Sequence, residues 1–316
     1  MRAVSRHPAQ AALPDMLAAE GEQQALELET GETGRLCSPG SRVVIGDATS
    51  VLRGLPSNSL QMCVTSPPYW GLRDYQLDRE AQIGAEDDLP SYIHRLVAVF
   101  EEVRRVLRPD GTLWLNLGDS YTSGNRTWRA PDRKNPARGM HYRPPTPEGL
   151  KPKDLIGVPW RVAFALQDSG WYLRSDIIWN KPNCQPESVR DRPTQAHEYL
   201  FLFSKSLKYH YNAEAVVERS TDGTGNRNRR SVWSIPTEPM PEAHFATFPP
   251  ALVEPCILAG SSPGDAVLDP FFGAGTVGLV SLRLQRTFVG IELNPDYAAI
   301  ASRRTGVSPE SGEDSD

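Results

Sequence analysis

The stretch Val267-Leu268-Asp269-Pro270-Phe271-Phe272-Gly273-Ala274-Gly275-Thr276, together with its continuation to Glu292, constrains the fold of this chain most. A short apolar strand pattern runs into a turn bearing two glycines, and Val277, Leu279, Val280, Leu282 and Leu284 then recur at helical spacing. Thr287-Phe288-Val289-Gly290-Ile291-Glu292 reads as the next strand and ends in a carboxylate 19 positions after Gly273. Strand, glycine turn, helix, strand and acid, in that order, suit a nucleotide-like ligand. The glycines let the backbone approach it, and the acid can hold a ribose diol. The glycines do not spell G-x-G-x-x-G, and no G-x-x-x-x-G-K-[ST] is present, which weakens dinucleotide and triphosphate readings.

A second feature lies about 200 residues earlier. The apolar run Leu60 to Val64 leads into Thr65-Ser66-Pro67-Pro68-Tyr69-Trp70, where a parallel sheet would open into its cleft. Two prolines fix φ and supply no backbone N–H, so the Ser66 and Pro67 carbonyls are held outward in a stiff, acceptor-rich turn. A hydrogen-bond donor should dock there. An exocyclic amino group on a nucleobase is such a donor, and its conjugated lone pair is a poor nucleophile until the nitrogen becomes more tetrahedral. The Ser66 hydroxyl and the Pro67 carbonyl, one on each N–H, would pull it toward that geometry. Tyr69 offers a flat face for the base, worth about 1–3 kcal/mol in stacking.

Thr-Ser-Pro-Pro-Tyr-Trp together with Asp-Pro-Phe-Phe-Gly-Ala-Gly-Thr resembles the S-adenosylmethionine-dependent DNA amino-methyltransferases. The order, catalytic loop first and cofactor loop later, is similar to their circularly permuted beta group. The resemblance spans roughly residues 43–304 and includes Arg108 to Asn116, Asp176 to Pro182, His197 to Phe203 and His244 to Pro249. It implies a Rossmann-like α/β fold: a mixed, mostly parallel sheet with helices on both faces, circularly permuted, with inserted DNA-recognition loops. It also implies a methyl transfer from S-adenosyl-L-methionine to double-stranded DNA after base flipping. Catalysis would fall to Ser66, Pro67, Pro68 and Tyr69. The cofactor would be held by Asp47, Asp269, Phe271, Phe272, Gly273, Gly275, Thr276 and Glu292. In that family a serine at the first loop position usually accompanies the N4 of cytosine as target, and Asp or Asn the N6 of adenine. Ser66 therefore favours cytosine. Adenine N6 is the runner-up, and a DNA-binding regulator without turnover is a third reading. A cysteine nucleophile, which methylation at ring carbon five would need, is absent from the loop.

A formal net charge of −5 argues against a DNA partner only until its placement is considered. Residues 1–40 carry six acids against three bases, and residues 305–316 four acids and no base, which leaves the body at +2. Local patches matter more for phosphate contact than the total. Two basic segments stand out: 121–153, read as a mobile loop with Arg126, Arg133 and Lys134, and 183–242, with Arg227, Arg229 and Arg230 near aromatic residues. The second is where the resemblance puts target recognition. Those six, with Lys181 at the end of a strand pattern, are the candidate DNA contacts.

The division expected is a disordered extension over 1–40, one methyltransferase domain over 41–304 and a disordered acidic tail over 305–316. Within the domain, 41–182 is the catalytic half and 243–304 the cofactor half. A helix is expected over 91–107, a turn at Pro109-Asp110-Gly111 and a strand over Leu113 to Leu117. Four scattered cysteines and no paired ligand spacing indicate no metal and a reducing, cytoplasmic setting. No apolar stretch is long enough to span a bilayer. A cognate restriction endonuclease and a second copy of the chain are candidate partners.

Overall fold

The computed structural model describes residues 40–72, 82–123, 128, 143–220, 223–240 and 248–312. The extension over 1–39, the end of the tail and Arg126, Arg133 and Lys134 lie outside them.

Strand β1 (Arg42–Ile45) leads into helix α1 (Ala48–Gly54). The Asp47 carboxylate opens that helix by accepting from the Ser50 backbone N–H at 2.9 Å, which satisfies a donor that the helix start would orphan. β2 (Leu60–Thr65), α2 (Leu89–Val106) and β3 (Leu107–Leu117) come next. Along α2, Tyr92, Leu96, Val99, Phe100 and Val103 recur every three or four residues and are fully buried or nearly so. Each such side chain contributes about 1.5–3 kcal/mol by leaving water. Then come α3 (Val158–Asp168), β4 (Tyr172–Asn180) and β5 (His197–Ser204). β6 (Glu218–Arg219) and β7 (Asn226–Arg227) pair with each other, and β8 (Val232–Ser234) precedes α4 (Pro250–Gly260). The chain closes with β9 (Ala266–Asp269), α5 (Thr276–Arg283), β10 (Thr287–Glu292), α6 (Pro295–Thr305) and β11 (Pro309–Ser311).

The main sheet runs β11-β1-β10-β9-β2-β3-β5-β4-β8, and its strands are parallel except for β5. Its central strands are apolar on both sides, as a sheet covered by helices requires. Cys63, Leu113, Leu115 and Leu268 pack with α1, α2 and α3, whereas Met62, Val64, Trp114 and Val267 pack with α4 and α5. At the β2–β9 junction the connections part: β2 leads to β3 on one side, β9 to β10 on the other. Such a switch point opens a crevice beyond the carboxyl ends of the strands. Both sequence motifs begin there.

Two expectations change. β3 starts at Leu107, so Pro109-Asp110-Gly111 lies within a strand, at a register shift against β2, and not in a turn. Gly111 permits this, since a Cβ there would lie 2.9 Å from the Gln61 carbonyl oxygen. The tail is ordered at its start: Thr305 ends α6, and Pro309–Ser311 pairs in parallel with β1. Its acid Glu310 forms an ion pair with Arg42, and Gly312 donates to the Ile45 carbonyl at 2.8 Å. Within 183–242, the run Glu198 to Phe203 lies in β5 inside the sheet, and β8 extends the edge beside β4. The apolar run Leu200 to Phe203, buried throughout, explains why β5 belongs to the core.

Candidate active site

Thr65 ends β2 and Asp269 ends the neighbouring β9. The Thr65 hydroxyl donates to Asp269 Oδ1 at 2.6 Å, joining residues 204 positions apart. This bond ties the two loops together at their roots. Beyond it lies a cavity of about 210 Å³ bordered by Asp47, Ser66, Pro67, Pro68, Tyr69, Asp269, Phe271, Gly273, Thr276 and Glu292. All the catalytic and cofactor residues expected from sequence except Gly275 border this one crevice.

The glycine loop is shaped by its backbone. Gly275 has φ +78° where α5 begins, a conformation that disfavours any residue with a Cβ, and a Cβ would lie 2.9 Å from that of Ala301. Gly273, at φ +51°, would place a Cβ in open space with nothing nearer than 4.0 Å, so the floor above it is clear. Glu292 Oε2 accepts from the Gly273 N–H at 2.7 Å and Oε1 from the Asn294 N–H at 2.8 Å. Burial raises the pKa of Glu292 against those bonds. At the start of α1, Asp47 Oδ1 caps the helix, and its other oxygen carries no partner among the described residues.

Two expected cofactor residues have other main tasks. Phe272 borders the cavity, but its ring is core: it is 3% exposed, stacks on Phe288 at 5.2 Å and lies over Gly290. The wall is supplied by Phe271, packed edge-on against Phe100 at 6.4 Å. The Thr276 hydroxyl accepts from Arg304 Nη1 at 3.2 Å, which braces α6 against α5.

Burial also raises the Asp269 carboxyl to about 7, against the bonds from Thr65 and the Phe271 N–H and with the Glu292 charge adding to the rise. A carboxyl raised in the fold favours folding while protonated, and that contribution is lost as pH climbs from the ordinary carboxylate range through about 7. Asp269→Asn keeps an acceptor for both bonds and removes the titration. Its thermal stability relative to the parent should therefore improve between pH 5 and pH 8, by on the order of 3 kcal/mol at about 1.4 kcal/mol per pKa unit. Melting curves across that range check this, and a difference that does not vary with pH would refute it.

The proline loop is fixed from below. The buried Tyr92 of α2 donates its hydroxyl to the Pro68 carbonyl at 2.9 Å, and Trp70 Nε1 donates to the Glu86 carbonyl at 3.0 Å. The Tyr69 hydroxyl donates to Glu198 Oε2 at 2.8 Å and approaches Asn116 Oδ1 at 3.3 Å; Ser66 Oγ lies 3.4 Å from it. Glu198 also forms an ion pair with Lys181, whose ammonium sits 4.2 Å from the centre of the Trp179 ring. Lys181, expected to contact DNA, thus borders the cavity.

Asn116, Glu198 and Gly118 are site members that sequence reasoning misses. A polar side chain opening or interrupting an apolar strand, as in His-Glu-Tyr-Leu-Phe or Leu-Trp-Leu-Asn-Leu, is the one signal for the first two. Gly118 gives none: a Cβ there would lie 2.7 Å from the Tyr69 ring and 3.2 Å from the Glu198 carboxyl carbon. Arg227 and Arg230 do not border the cavity; they pair with Glu218 at 2.9 and 3.0 Å. Arg229 stacks over Trp233 at 4.4 Å. Among the described residues, no group of three or more His, Cys, Asp and Glu side chains is placed to hold a metal ion, and no helix is long and apolar enough to cross a membrane.

A crevice at the switch point of a mostly parallel sheet, with acids at the ends of three strands and a glycine floor between them, defines a Rossmann-like S-adenosylmethionine-dependent methyltransferase. A family model described as DNA methylase matches residues 60–303. Type II methyltransferase M.XycI of Xanthomonas campestris pv. cyanopsidis is 64% identical over 84% of this chain and 87% of its own length. M.SmaI of Serratia marcescens is 62% identical over 83% and 90%. Among solved structures, PvuII DNA methyltransferase (cytosine-N4-specific) shares the fold with a TM-score of 0.63 at 21% identity, covering 85% of this chain and 88% of that one. A Thermus thermophilus protein solved with S-adenosyl-L-methionine aligns with a TM-score of 0.58 at 26% identity, over 86% and 97%. The chain belongs to the DNA methylase family of N6- and N4-amino-methyltransferases.

Proposed function

We propose that this protein methylates the exocyclic N4 of cytosine at a specific site in duplex DNA. The observation that carries the reading is the Thr65–Asp269 bond, because it sets Ser66, Pro67 and Tyr69 across one cavity from Asp47, Gly273 and Glu292. Three acidic side chains, an apolar wall and an open glycine floor fit a ribose-bearing sulfonium ligand: Asp47 toward the adenine, Glu292 toward the ribose and Asp269 toward the amino-acid end. S-adenosyl-L-methionine held there supplies an electrophilic methyl group.

The chain's own residues do the rest by placement. Tyr69 stacks on a flipped base, while the Ser66 hydroxyl and Pro67 carbonyl accept the two N–H bonds of its amino group. As the nitrogen gains positive charge, those fixed lone pairs stabilise it, and alignment in a desolvated crevice lowers the barrier further. No side chain is required as a covalent nucleophile. Ser66 at the head of the loop supports cytosine, as does the cytosine-N4 specificity in the name of the PvuII enzyme, which has the same fold. The type II names of the relatives suggest a cognate endonuclease as companion.

Incubating the protein with duplex DNA and methyl-labelled cofactor, then identifying the nucleosides by mass, tests this directly. N4-methylcytosine is the expected product. N6-methyladenine would overturn the choice of base, and no labelled nucleoside would overturn the activity.

A further inference from the structure

A serine at the head of the loop poses a problem that a carboxylate or an oriented amide would not. Its hydroxyl can donate as well as accept. Rotated the wrong way, it would point a proton at the amino group it is meant to hold.

We propose that Glu198, held by Lys181 and acting through Tyr69, is the positioning residue that fixes the direction of the Ser66 hydroxyl. The inference rests on the proposed function, in which Ser66 accepts a hydrogen bond from the target amine, and it deepens that reading.

Direction follows from which groups can only accept. Glu198 in an ion pair is a carboxylate, and its Oε1 is engaged by the Lys181 ammonium, which leaves Oε2 to accept from Tyr69 at 2.8 Å. The Asn116 amide nitrogen donates to the Tyr199 carbonyl at 3.1 Å, so Oδ1 is the atom facing Tyr69, and it too only accepts. Between two acceptors, the Tyr69 hydroxyl must spend its one proton on that side. Its lone pairs are then turned toward Ser66, whose Oγ is 3.4 Å away and donates to it. With the Ser66 proton drawn to Tyr69, the lone pairs of Oγ are what the cavity receives.

The surroundings hold this chain of bonds in place. Lys181 and Glu198 have side chains only 17% and 18% exposed, so the pair is shielded from competing water. Lys181 lies over the Trp179 ring, which is anchored by its own Nε1 donating to the Ile235 carbonyl at 2.8 Å. Gly118 leaves the gap into which the Tyr69 ring and Glu198 both fit. Glu198 needs no contact with DNA or cofactor to act.

Glu198→Gln reverses the polarity while keeping the shape. Lys181 still demands an acceptor, so the glutamine turns its amide N–H₂ to Tyr69. The Tyr69 proton then loses its short contact at 2.8 Å and keeps only the longer one to Asn116 Oδ1 at 3.3 Å, so its donation toward Ser66 competes. Single-turnover methyl transfer should fall about tenfold or more. Cofactor and DNA dissociation constants should stay within about twofold, as should the fluorescence of a base analogue at the target position, which reports flipping. In a Tyr69→Phe background the same substitution should have almost no further effect, since the relay is already cut. Full additivity of the two substitutions, or an unchanged rate in a folded Glu198→Gln protein, would overturn the proposal. Should Glu198→Gln fail to fold, Tyr69→Phe alone decides: a loss of rate with unchanged flipping supports the relay, and an unchanged rate overturns it. Failure of the parent protein to methylate DNA would instead strike at the activity itself, so the two failures are distinguishable.

Discussion

Substituting Ser66 by alanine is expected to slow single-turnover methyl transfer by about 10²–10³-fold, the scale seen when one preorganised hydrogen-bond partner of a developing charge is removed. The loss should fall on the chemical step. Ser66 sits on the Tyr69 side of the cavity, and its hydroxyl bonds to Tyr69. The groups expected to hold the cofactor, Asp47, Asp269, Gly273 and Glu292, belong to other loops. Cofactor affinity measured by calorimetry should therefore remain within about twofold, and the melting temperature should scarcely move because the side chain is only part-buried. A rate equal to that of the parent would remove Ser66 from the mechanism.

Replacing Gly290 by alanine should have the largest effect on stability. A Cβ there would fall 2.4–2.5 Å from three carbons of the Phe272 ring, well inside contact distance. The ring has nowhere to retreat. It stacks on Phe288 on one side, and its tip lies 2.6 Å from where a Cβ of Gly278 would be. Overpacking of this kind costs about 1–3 kcal/mol and occasionally more, or about 2–4 °C of melting temperature per kcal/mol in a domain of 150–250 residues. Cofactor binding should weaken as well, since Phe272 donates to the Ile291 carbonyl at 2.9 Å and the next N–H is the one Glu292 holds. Thermal melts and a cofactor titration on the same preparation check both, and a melting temperature within about 1 °C of the parent would refute the argument.

The fold is legible in the sequence where periodicity and turn chemistry agree. The unit β9, α5 and β10 can be read because apolar strands, two glycines and a helical stripe occur in succession, with Glu292 at the end. The helical stripe of α2 is equally plain. Legibility fails where pairing between distant segments decides. Nothing local in Pro309-Glu310-Ser311 marks a strand; it becomes one because β1 offers an open edge and Arg42 offers a charge. Pro109 and Gly111 look like turn residues, yet β3 carries them as a bulge against β2, with Leu60 opposite Leu107 and Met62 already opposite Thr112.

The same holds for the site. Ser66, Pro67, Tyr69, Gly273 and Glu292 stand in compact motifs whose chemistry can be inferred from neighbours in sequence. Asn116, Gly118 and Glu198 reach Tyr69, and Lys181 reaches Glu198, from three further segments, and only the register of β3 against β5 and of β5 against β4 brings them together. The division of tasks between Phe271 and Phe272 also lies beyond sequence. Which of two adjacent rings turns inward depends on the hollow left by Gly290 and Gly278.

The strand order carries a consequence for biosynthesis. β1 leaves the ribosome before both of its neighbours, since β10 and β11 are made about 245 or more residues later. Contacts of such long range are slow to close, and an unpaired edge is prone to wrong partners meanwhile. The half that grips the methyl donor therefore cannot assemble until β10 and β11 have been made, so a chain that stops before them carries the proline loop without the means to arm it.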